Sequence, residues 1–204
     1  MNYAMIRYIL GTILKAEALL MCLPALVSLW YREGDATAFL ATILAAGGGG
    51  LLLSFRKPQN TVIYAREGFV VTSLSWIVMS LVGALPFRLT GAIPHYVDAV
   101  FETVSGFTTT GASILTDVEA MGRGLLFWRS FTHWVGGMGV LVFLLAILPL
   151  AGGRNVHIMR AESPGPVVGK LVPRVRGTAK ILYGIYITMT LILIGLLLLG
   201  GMPL

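Results

Sequence analysis

Between Phe101 and Ala112 the chain reads FETVSGFTTTGA, residue types suited to holding a cation with backbone oxygens. Thr108, Thr109, Thr110 and Gly111 are poor helix formers that fit an extended strand, whose carbonyls can replace the water a potassium ion sheds. Carbonyl rings do this without a fixed charge that would trap the ion, and threonine hydroxyls add ligands or brace the strand. Gly111 tolerates a positive φ, which can turn a carbonyl inward where a Cβ would meet strain. Glu102, a turn back, reads as a hydrogen-bonding brace for this loop, and Arg129 as a charge partner for it. Four such residues occur by chance in many loops, so the elements that hold them decide the matter.

Those elements belong in a bilayer. Of 204 residues, 56% are hydrophobic and 12% charged, and the mean hydropathy of +0.85 is outside the range of soluble domains. The net charge is +6, but the basic residues form no face interleaved with aromatics, which excludes nucleic acid as the partner. Cys22 stands alone in an apolar run, and His95, His133 and His157 lack ligand spacing, so no transition-metal site is expected. Neither a GxxxxGK[ST] loop nor a nucleophile, base and oxyanion set is present. The chain therefore reads as no enzyme, with no cofactor beyond a transported ion.

A hydrocarbon core of about 30 Å takes about 20 helical residues. Spans are predicted at Ile6–Trp30, Ala36–Phe55, Gly68–Phe87, Gly124–Leu150 and Thr178–Gly201, the first retained because no small-residue cleavage site follows it. Arg56, Lys57 and Arg66, and then Arg154, Arg160, Lys170, Arg174, Arg176 and Lys180, place the second and the long connections in the cytoplasm. The N-terminus is then cytoplasmic. From Pro94 to Gly106 runs an apolar series of about a dozen residues reaching about 18 Å, only part-way across. Length alone also admits a helix lying on the outer surface, but the loop after it suits a re-entrant half-helix whose C-terminal dipole favours a cation. Lys15 and Glu17 interrupt the first span on different faces, toward a protein groove, the interface or transport chemistry. Gly47–Gly50 loosens the second helix, and Gly136, Gly137 and Gly139 serve close packing or a hinge.

Three stretches carry a resemblance: DAVFETVSGFTTTGASIL (98–115), FWRSFTHWVGGMGVLVFLLAILPL (127–150) and MRAESPGPVVGKLVPRVRGTAK (159–180). With YREGD and AREGF, they make nearly the whole chain similar to the Trk/Ktr/HKT superfamily of potassium transporters, in its TrkH-like branch. The resemblance implies an all-α integral membrane fold with five transmembrane helices plus one re-entrant pore helix and filter loop, in a bacterial inner membrane. It divides the chain into an accessory N-terminal pair (1–60), a first pore repeat (61–152), a basic cytoplasmic loop (153–177) and the first helix of a second repeat (178–204). Potassium is then bound by Thr108, Thr109, Thr110 and Gly111, with Glu102 and Arg129 supporting the filter. In plant relatives, serine at the first filter glycine goes with sodium preference, so Gly111 leans toward potassium. One filter strand supplies about a quarter of each carbonyl ring, so the chain is expected to be part of a potassium uptake protein. Four assembled copies, or a non-conducting subunit that regulates a full-length homologue, are the alternatives. Implied partners are the lipid bilayer, the remaining repeats or further copies, a cytoplasmic nucleotide-binding regulatory ring and a second membrane subunit in a homodimer.

Overall fold

The computed structural model describes residues 1–61, 65–139 and 175–201, and these form helices and turns without a strand. The helices are α1 (Tyr3–Trp30), α2 (Ala36–Ser54), α3 (Ala65–Gly83), α4 (Leu85–Leu89), α5 (Tyr96–Phe107), α6 (Arg123–Gly137) and α7 (Val175–Leu199). Among the described residues, four stretches are long and apolar enough to cross a membrane: Tyr3–Trp30, Ala36–Ser54, Arg66–Leu89 and Lys180–Leu199. The fourth expected span, from Gly124, is described only through Gly139, and the basic loop lies outside the described residues up to 174.

α1 begins where the Asn2 side chain accepts the Met5 amide at 3.1 Å, satisfying one orphan donor of the first turn. Its buried residues recur at helical spacing through Met5, Ile9, Ile13, Glu17, Met21 and Ser28, so one stripe faces the other helices. At 28 residues it is about 42 Å long, more than the hydrocarbon thickness. Of the four glycines in α2, Gly50 serves close packing. A Cβ on Gly50 would sit 2.7 Å from the Gly11 carbonyl and one on Gly11 2.8 Å from the Gly50 carbonyl, so these two let the α1 and α2 backbones touch.

α3 and α4 together form the third span, interrupted at Ala84 just before Pro86, which has no amide to continue the ladder. The Trp128 indole donates to the Gly83 carbonyl at 2.9 Å near this break. Phe107, at the end of α5, is 1% exposed and lies edge-on between Trp76 and Trp128, with ring centroids 6.5 and 6.2 Å away. This aromatic core anchors the half-span helix against α3 and α6.

Candidate ion-binding site

The half-helix has 12 residues, about 18 Å and too short to span. It starts two residues later than Pro94, at Tyr96, because His95 takes an extended N-cap conformation. It also ends one residue beyond Gly106. Gly106 is no helix breaker here: a Cβ on it would collide with the Thr132 hydroxyl of α6, and a Cβ on Gly136 would collide with the Phe107 carbonyl. Both glycines let α5 and α6 pack at backbone distance.

The turn out of α5 follows from its terminal hydrogen bonds. The Thr110 amide donates back to the Ser105 carbonyl and the Thr109 amide to the Gly106 carbonyl, each at 2.9 Å. This is a Schellman closure, which needs a left-handed residue after the C-cap Thr108. That residue is Thr109, at φ +56°, and a β-branched side chain there costs about 1–2 kcal/mol. The helix and its closing turn consequently take in Thr108 and Thr109, so the stretch outside them begins at Thr110 and not at Thr108, as the residue types had implied. Gly111 follows at φ +76°, with open space around the position a Cβ would take.

Thr108 to Ile114 are all exposed. Among the described residues, no hydrogen bond reaches the carbonyl oxygens of Thr108, Thr109, Thr110 or Gly111. The loop is held instead through its flanks. The Ser105 hydroxyl donates to the Ala112 carbonyl at 2.6 Å, and the Thr108 hydroxyl lies 2.8 Å from that of Thr110. Glu102 lies behind, its side chain 1% exposed, and pairs with Arg129 Nε at 2.6 Å. The same carboxylate lies 3.0 and 3.1 Å from the Ser113 hydroxyl and accepts the Ile114 amide at 3.2 Å. Every member of this small network has a partner, which a buried charge requires.

Sequence reasoning brought Glu102 and Arg129 forward but missed Ser105, Ser113, Thr132 and Trp128. A serine in a threonine-rich loop is too common to stand out, although Ser105 and Ser113 flank residues 108–111 closely enough to have been questioned. Glu17 is a different case. It lies where α1, α3 and α5 meet, 0% exposed, and its carboxylate oxygens have no hydrogen-bond partner among the described residues. Lys15 instead lies against Gly50 of α2. His133 Nδ1 is 3.0 Å from the Arg129 carbonyl, and Cys22 lies 3.5 Å from the Ala18 carbonyl.

Apolar spanning helices around a half-span helix, with no strand among the described residues, define an all-α integral membrane protein. Residues 35–200 match the family TrkH, described as cation transport protein, and the chain belongs to that family. It is 39% identical over 193 residues to the Trk system potassium uptake protein TrkH of Halomonas elongata, covering 93% of this chain and 40% of that protein. Against the protein of the same description from Salmonella typhimurium it is 38% identical over 207 residues, covering 100% of this chain and 43% of the relative. The crystal structure of the potassium transporter TrkH from Vibrio parahaemolyticus is similar at TM-score 0.73 and 33% identity, over 94% of this chain and 38% of that one. The chain thus spans well under half the length of these relatives.

Proposed function

We propose that the chain contributes one selectivity-filter strand, with its scaffold, to a channel-like potassium uptake protein. The ion meets the carbonyls of Thr108, Thr109, Thr110 and Gly111, while Glu102 and Arg129 hold the loop from behind. The observation that carries this reading is a half-span helix closing into an exposed stretch whose four carbonyls accept no hydrogen bond from the described residues. The relatives named as potassium uptake proteins support potassium as the cargo. No covalent chemistry is involved, and no cofactor beyond the ion is needed.

In this reading residues 1–60 are an accessory pair, 61–152 the first pore repeat, 153–177 a cytoplasmic loop and 178–204 the start of a second repeat. The N-terminus faces the cytoplasm of a bacterial cell, and the chain sits in the inner membrane. Further repeats complete the carbonyl rings, and a nucleotide-binding ring and a second membrane subunit join by family likeness. The test is Gly111→Ser in the full-length protein, with potassium and sodium uptake measured in reconstituted vesicles. The preference for potassium is expected to fall on the order of tenfold, about 1.4 kcal/mol. An unchanged ratio would overturn the reading.

A further inference from the structure

The turn between α1 and α2 makes a contact that neither the site nor the family description uses. α6 starts at Gly122, an N-cap with no side chain to offer the first amides. Glu33, 90 residues earlier, supplies the missing acceptor: one carboxylate oxygen accepts the Arg123 amide at 2.8 Å and the other the Gly124 amide at 3.0 Å. A carboxylate at this end also meets the positive pole of the helix.

Glu33 is itself held by a strained turn. The Arg32 amide donates to the Leu29 carbonyl at 3.1 Å and the Glu33 amide to the Ser28 carbonyl at 2.9 Å, a Schellman closure of α1. Its left-handed residue is Arg32, at φ +56°. Among the described residues Arg32 and Thr109 are the non-glycine positions with positive φ, and both occupy the same place in the same motif. One cap presents Glu33 to α6, and the other presents the exposed carbonyl loop. Strain of this kind persists only where surrounding contacts over-determine it.

Further contacts seat the start of α6 on this turn. The Arg123 guanidinium lies 4.7 Å above the Tyr31 ring, and a Cβ on Gly124 would come within 2.7 Å of Ser28 Cβ. From Arg123 to Arg129 the helix rises about 9 Å, and Arg129 then grips Glu102, which grips Ser113 and Ile114. One helix therefore connects the turn after α1 to the back of the loop.

We propose that Glu33 is a positioning residue for the filter: by clamping the first amides of α6 it sets the height of that helix, and so of Arg129, Glu102 and the post-filter strand. The inference rests on the reading of Thr108 to Gly111 as the filter. It is tested in the full-length protein with Glu33→Ala and Glu33→Gln, the latter keeping the volume but leaving one amide facing a donor. Potassium and sodium uptake, their half-saturation concentrations and the amount of protein in the membrane are measured, alongside Gly111→Ser. The expected result is a potassium-to-sodium ratio reduced on the order of threefold or more at normal protein levels. Combined with Arg129→Lys, the loss should fall short of the product of the single losses, because both act through one contact. If Gly111→Ser shifts the ratio while both Glu33 variants keep it, the positioning role is wrong and the filter reading stands. If Gly111→Ser changes nothing, the filter reading itself fails. Loss of both Glu33 variants from the membrane, or a lower amount with an unchanged ratio, overturns the proposal in favour of a purely structural cap.

Discussion

Replacing Arg129 by leucine removes the charge that balances Glu102 while leaving the carboxylate where it is. The Glu102 side chain is 1% exposed and that of Arg129 16%, so the two partners differ in how well water can rescue them. Stranding the buried carboxylate is expected to cost about 3–5 kcal/mol, the range for breaking a buried pair from one side. Glu102→Gln should cost less, about 2–3 kcal/mol, because the less buried Arg129 can reach water and the amide still accepts one hydrogen bond. The double variant should then lie well below the sum of the singles, with a coupling of about 1–3 kcal/mol. Equilibrium unfolding of the purified protein in lipid and detergent measures all four corners of the cycle. A loss under about 1 kcal/mol for Arg129→Leu, the value of an exposed ion pair, together with additive singles, would refute the claim that this network braces the loop.

Gly136→Ala places a methyl group against the Phe107 carbonyl, so it should destabilise by about 1–3 kcal/mol through overpacking, visible as a lower midpoint in thermal unfolding. Thr109→Gly relieves the left-handed strain at φ +56° and is expected to gain about 1 kcal/mol of stability in the same assay. Asp35, on the turn after α1, has its carboxyl raised above the usual range by burial and by neighbouring Glu33. Its folded form holds the proton more tightly, so its penalty is absent at low pH and grows as pH rises from the ordinary aspartate value through the raised one. Asp35→Asn should flatten that part of the stability profile in a pH titration of the unfolding midpoint.

The spans were legible because a run of apolar residues at membrane length has few other uses, and the half-length of α5 was legible for the same reason. The Glu102 and Arg129 contact could be anticipated, since two opposite charges in apolar segments need each other. Boundaries shifted where a cap decided them: Pro94 lost its place to the extended His95, and Gly106 proved to be a packing residue of a helix that runs on to Phe107. Sequence pattern says that glycine permits either a break or a close approach, and only the neighbour across the contact, here Thr132, settles which. Thr109 in a left-handed turn runs against its own propensity, so no rule of residue type would have placed it there. The capping role of Glu33 was not legible, because its target amides are distant in sequence and carry no side-chain signature.

The braces of the carbonyl loop are short-range. Ser105 reaches Ala112 across 7 positions, Glu102 reaches Ser113 across 11, and Arg129 reaches Glu102 across 27. Contacts of such small separation form early, since little chain entropy opposes them. Glu33 and all of these braces lie within or before α6, so the loop can take its shape during synthesis as soon as α6 has formed. In the proposed pore, assembly becomes a matter of bringing finished walls together, and a fault in one wall should stay in that wall.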